Sequence, residues 1–281
     1  MSVTVTLHMY SGVPDPTWEL TDVQSDELAD RIARVSKTTL LKPPGIVGGL
    51  GYRGFSVTAV REKKLDPEIY IHAGIIDLDR FDLNRIADDV DLEQWLLGTA
   101  GNAIEPDVEK YVQGELAGRS TVMSPASVPA YSIMAVPPYN PGKWNNDPNI
   151  RTRNNCYNYA NDKITNTFAQ PGKGSGQIGP FPPACGGTGA AAQRDGQIPV
   201  ASASSTPAQG HFVALVIWPG RDYHWYRLDS NAMWSHKPGQ TAARNTDNSG
   251  RTINDPKNCD RGPYTAWCGY YHCIPANTRI A

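Results

Sequence analysis

GHFVALVIWPGRDYHWYRLDSN, residues 210–231, decides the fold of the second half of the chain. The run HFVALVIW is dense in β-branched and aromatic side chains and follows Gly210, so it reads as a strand opening at His211. Pro219-Gly220-Arg221-Asp222 turns the chain, and YHWYRLDS returns as the partner strand. Register is open at this level. Pairing Trp218 with Tyr223 sets Ser230 across from His211, with Asp229 on the other face. Pairing Trp218 with His224 sets Asn231 across from His211 and Asp229 on its face.

Upstream lies RTRNNCYNYANDKITNTFAQPG, residues 151–172. Asn154 or Asn155 can cap a helix with Cys156 in its first turn. Tyr157, Ala160, Ile164 and Phe168 form its apolar stripe, and Pro171-Gly172 end it. A thiol there faces the positive end of the helix dipole and its unpaired amides, which favour the thiolate and can hold an oxyanion. A histidine at a strand start is a rigidly placed general base that needs a third group to orient its ring. Asp229 is the first choice for that group and Asn231 the second; no glutamate follows Glu115. His236 and Lys237 come just after the strand pair, where they could line a pocket. Against all this, a free cysteine is most often a small buried hydrophobe.

In order and spacing, NNCYNYA, then GHFVALVI, then RLDSN resembles the papain-like cysteine hydrolases, nearest to the compact NlpC/P60-type members. The resemblance spans residues 150–235. It implies a papain-like α+β domain with an antiparallel sheet and acyl-enzyme cleavage of a peptide or amide bond. Cys156 would be the nucleophile, His211 the base and then acid, and Asp229 the orienter. Asn155, Asn231 and His236 would be supporting or substrate-facing residues. The substrate would be a peptide, a protein or a peptidoglycan-like polymer. The rival reading is a non-catalytic peptide- or glycan-binding module with aromatic loops and a structural Cys156.

The rest of the chain sets the frame. Residues 1–120 hold 12 Lys and Arg against 20 Asp and Glu, a net −8, and the remaining 161 hold 14 against 8, a net +6. That shift divides the α+β chain into an acidic domain over 1–120, a connector over 121–150 and the Cys156 domain over 151–281. The first domain is read as strands over 3–10, 54–60 and 68–78, a helix capped by Thr21, and helices over 91–100 and 106–117. Its His8 and His72 sit in strand patterns as structural histidines. The connector's frequent prolines favour extended chain.

No Lys/Arg cluster stands beside stacking aromatics, so nucleic acid is not an expected partner. No run approaches the roughly 20 apolar residues of a membrane span. The opening MSVTVTLHMYSG alternates like a strand and lacks a Sec-type pattern, which makes the cytoplasm the default, with signal-less export the other route. The five cysteines (156, 185, 259, 268, 273) all lie after residue 150. In a reducing compartment disulfides are not expected, whereas export would allow Cys259–Cys268 or Cys268–Cys273. The spacing of Cys259, Cys268, His272 and Cys273 matches no common zinc finger or ribbon, so no metal or cofactor is assigned.

Overall fold

The structure is a computed structural model that describes residues 2–35, 49–61, 64–65, 68–77, 85–88, 91–118, 136–204 and 207–281. Helices and antiparallel sheets make the chain α+β, in two compact units. The first comprises Met1–Met9, Asp15–Val47 and Tyr52–Met123; the second comprises Tyr10–Pro14, Gly48–Gly51 and Ser124–Ala281. Two short stretches of the acidic half therefore fold with the second unit, which composition could not reveal.

In the first unit the order is β1 (Ser2–Leu7), β2 (Thr17–Glu19), α1 (Asp22–Arg34), β3 (Phe55–Arg61), β4 (Lys64–Leu65), β5 (Ile69–His72), β6 (Ile75–Asp77), β7 (Arg85–Ala87), α2 (Leu92–Gly98) and α3 (Pro106–Ala117). The sheet runs β2-β1-β3-β5-β6-β7, with β4 on β3. Alternation in β1 buries Val3, Val5 and Leu7. Thr21 caps α1 through a capping box with Gln24, and Pro106 opens α3. The single strand expected over 68–78 is instead a hairpin, because Ala73 and Gly74 adopt positive φ and turn the chain.

In the second unit follow α4 (Gly142–Asn145), α5 (Pro148–Arg153), α6 (Cys156–Ala160), α7 (Cys185–Arg194), β8 (Ile198–Val200), β9 (His211–Trp218), β10 (Asp222–Leu228), β11 (Trp234–His236) and β12 (Ala266–Cys273). The early part of the expected connector lies outside the described residues. Its later part carries two short helices, α4 and the first turn of α5, where extended chain was expected. Pro141 stands at the N-cap of α4 and Pro148 in the first turn of α5, positions where a fixed φ and a missing N–H cost nothing. The Cys156 helix is shorter than its stripe suggested. Asn161 caps it after five residues, and Asp162, Asn166 and Phe168 then take positive φ. Asparagine side chains bonding to backbone compete with helix here: Asn154 Oδ1 accepts from the amides of Thr165 and Asn166.

The five-stranded sheet is ordered β11-β10-β9-β12-β8, all antiparallel. Trp218 pairs with Asp222 around a three-residue turn, so neither of the two expected registers occurs. On one face Val213, Leu215, Ile217, Trp225 and Tyr271 pack with Cys156, Tyr157, Ala160 and Ala192. On the other, Phe212, Ala214, Val216 and Tyr226 pack with Leu50, Trp234, Ile253 and Tyr264. β9 is therefore covered on both faces, and every residue from His211 to Ile217 is buried.

The buried Arg227 of this unit is paired with carboxylates. Arg227 Nε donates to Asp229 Oδ1 at 2.8 Å, its Nη1 donates to Asp162 Oδ1 at 3.0 Å, and its guanidinium lies 4.1 Å from the Tyr159 ring centroid. Removing one member of a buried pair strands the other, at a cost of about 3–5 kcal/mol. Arg227→Ala is expected to lower the urea midpoint by that equivalent, and Arg227→Met with Asp229→Leu to recover part of it. Denaturation curves of the three proteins decide this.

Candidate functional site

Cys156 sits at the first position of α6, as expected, and Asn155 caps the helix. Asn155 Oδ1 accepts from the amides of Tyr157 and Asn158. Those amides are thus already engaged, and a five-residue helix has little dipole. The thiol is fully buried and donates to the Tyr223 carbonyl at 3.9 Å. Burial first, and the Asp222 charge second, push its pKa well above the ordinary thiol range. It is a neutral core side chain.

His211 opens β9 and is also fully buried. Its Nε2–H donates to the Ala160 carbonyl at 2.6 Å, while Nδ1 has no hydrogen-bond partner among the described residues. Burial, with the nearby Arg227 charge adding to it, lowers its pKa from 6.5 to about 4, so the ring is neutral. Cys156 and His211 make no hydrogen bond to each other. The Ala160 carbonyl that takes His211 lies about 6 Å along α6 from Cys156, at about 1.5 Å per residue. The thiol points toward Tyr223, whose register partner Ile217 is about 20 Å of strand away from His211.

The orienting groups are engaged elsewhere too. Asp229 takes Arg227 and the Ser235 hydroxyl rather than His211. Asn231 Oδ1 accepts from the Met233 amide in the following turn. Asn155 Nδ2 donates to the carbonyls of Gly12 and Ala169. His236 lies 2.9 Å from His224 Nε2 through Nδ1 and 2.9 Å from the Thr246 carbonyl through Nε2. Lys237 is buried, and Nζ donates to the carbonyls of Arg151, Asn154 and Gly239 at 2.5, 2.5 and 2.6 Å. The expected catalytic residues thus occupy one unit, but each bonds to a different neighbour and none to another of the three.

Three arrangements were not legible in the sequence. Cys185 pairs with Cys268 in a disulfide across 83 residues, so neither disulfide expected on export is formed, and Cys268 is closed to the zinc set. In the first unit, His8 Nδ1–H donates to Asp15 at 3.2 Å and Nε2 takes the Ser56 hydroxyl at 2.9 Å. This relay satisfies three buried polar groups, and Ser56 is only 2% exposed. Asp222 accepts from the amides of Ser11, Gly12 and Val13 at 2.5, 3.1 and 2.9 Å and from the Tyr264 hydroxyl. Burial raises that carboxyl to about 6. Among the described residues, no group of three or more His, Cys, Asp or Glu comes together as a metal site, and no helix is long and apolar enough to cross a membrane.

No family model matches the chain, and no solved structure matches it. The chain is 50% identical over 135 residues to insoluble matrix shell protein 1 of Ruditapes philippinarum, an alignment covering 47% of this chain and 86% of that protein. It belongs to the same family as that protein. A relative named as a matrix component overturns the expectation of a cysteine peptidase or other hydrolase. The cytoplasmic default falls for the same reason, since a protein named for an insoluble shell matrix does not share it. The Cys185–Cys268 disulfide agrees with an oxidising compartment.

Two outcomes are expected. Iodoacetamide should leave Cys156 unmodified in the native protein and label it in urea, as peptide mass spectrometry would show. The neutral His211 contributes stability that is present above about pH 6.5 and lost as pH falls toward about 4, because the unfolded chain binds the proton first. The loss should approach about 3 kcal/mol. His211→Gln should flatten the corresponding slope in urea midpoints measured across that range.

Proposed function

We propose that the protein is a non-catalytic component of an insoluble extracellular matrix, which it joins by binding peptide or glycan surfaces of other components. The 135-residue similarity to insoluble matrix shell protein 1 carries this reading. The site geometry supports it. The best-placed thiol is neutral and sealed among Tyr157, Trp225 and Ile217, so it serves packing rather than attack. The disulfide between α7 and β12 closes a long loop, and such a link typically adds a few kcal/mol where no reductant is present.

The test is co-sedimentation of the oxidised protein with insoluble matrix prepared from Ruditapes philippinarum shell. Wild type and Cys156→Ala should pellet to the same extent. A protein that stays in the supernatant overturns the proposal, and so does a Cys156→Ala variant that folds but no longer pellets.

A further inference from the structure

The two faces of the five-stranded sheet are not equally closed at its β8 edge. Register places Ile198, His272 and Phe212 in one row across β8, β12 and β9, and Val200, Tyr270 and Ala214 in the next. Residues directly opposite in an antiparallel pair share a face. On β9 the row members are closed, with Phe212 at 6% and Ala214 at 0% exposure. Beyond β9 the cover thins. Ile198 is 50% exposed, and Val200, Trp267, Tyr270 and His272 are half-buried.

The result is an apolar and aromatic ledge on the outer face of the sheet. Trp267 and Tyr270 meet edge to face with centroids 4.8 Å apart, and Tyr270 lies against Trp234 at 5.7 Å. The ledge is held from behind. A β-bulge breaks the β9–β12 register between Trp267 and Gly269, and the residue between them, Cys268, is the one bonded to Cys185 of α7. Bulges re-aim side chains, and this one is clamped beside Trp267.

Resting on the matrix-binding reading, we propose that this ledge docks a neutral polysaccharide chain. The rim decides the chemistry. Tyr270 donates its hydroxyl to Asp255 Oδ1 at 2.6 Å, and the Arg261 guanidinium lies 5.9 Å from the Trp267 ring, so one acid and one base flank the rings. A polyanion would require uncompensated positive charge. A peptide docking by strand addition would need the open edge at β8, whose middle residue Pro199 lacks the donor such pairing uses. A chain with C–H faces and uncharged hydroxyls matches aromatic faces bordered by a carboxylate and a guanidinium. The aromatic ledge supplies contact area and the rim supplies hydrogen bonds.

Purified oxidised protein would be incubated with cellulose and chitin beads, and with gelatin and heparin beads for comparison. Retention on the neutral polysaccharides is expected, and it should persist at about 1 M NaCl, where charge interactions are screened beyond about 3 Å. Trp267→Ala should weaken it about tenfold, with folding checked by near-ultraviolet circular dichroism. If that variant fails to fold, Ile198→Ser at the exposed end of the ledge serves instead and should weaken retention measurably. Reduction of Cys185–Cys268 should also weaken it. Undiminished retention by the folded variants, no retention on either polysaccharide, or retention only on gelatin or heparin would overturn the proposal. If the ledge variants still pellet with shell matrix as wild type does, the ledge assignment alone falls; if wild-type protein fails to pellet, the matrix reading falls with it.

Discussion

β9 is covered on both faces, and the chemistry of the second unit follows from that closure. A group held between two packed layers is cut off from water, and its neutral form gains accordingly. The thiol of Cys156 and the imidazole of His211 are each placed on this sheet's helix-covered face, and each is held uncharged. A helix-start cysteine becomes reactive only when solvent and free amides reach it. Here Asn155 occupies the amides, and aromatic side chains fill the space beside the sulfur.

The same closure dictates how the unit handles charge. Arg227 is matched to Asp229 and Asp162, Lys237 is wrapped by three carbonyls, and Asp222 is ringed by three successive amides and a tyrosine hydroxyl. Each arrangement ties loops to the sheet: Lys237 holds the chain entering α6, and Asp222 holds Tyr10–Pro14. Such groups are costly to bury and more costly to leave unmatched, so they select one arrangement of the loops.

The disulfide and the aromatic ledge share a physical origin in β12. Its bulge puts Cys268 toward α7 while Trp267 and Tyr270 remain on the outer face with Val216 and Ala214. Oxidation therefore braces the strand that presents the rings. Pro199 in the outermost strand keeps that edge from recruiting further strands, so the exposed apolar surface lies on a sheet face rather than along a free ladder.

Local pattern was enough to place β1, the Thr21 cap, the Pro106 helix start, an asparagine cap just before Cys156 and the β9–β10 hairpin, because each is decided by residues within one or two turns of chain. The α+β class follows from the same signals. What the chain alone could not decide was every relation between distant residues. The Cys185–Cys268 bond, the Asp15–His8–Ser56 relay and the capture of Tyr10–Pro14 by the second unit all join residues whose pairing leaves no local trace. The placing of Cys156 and His211 belongs with these. Their residue types and order were plain in the sequence, but reactivity depends on solvent access and on which neighbour claims each polar atom, and only the packed sheet settled those.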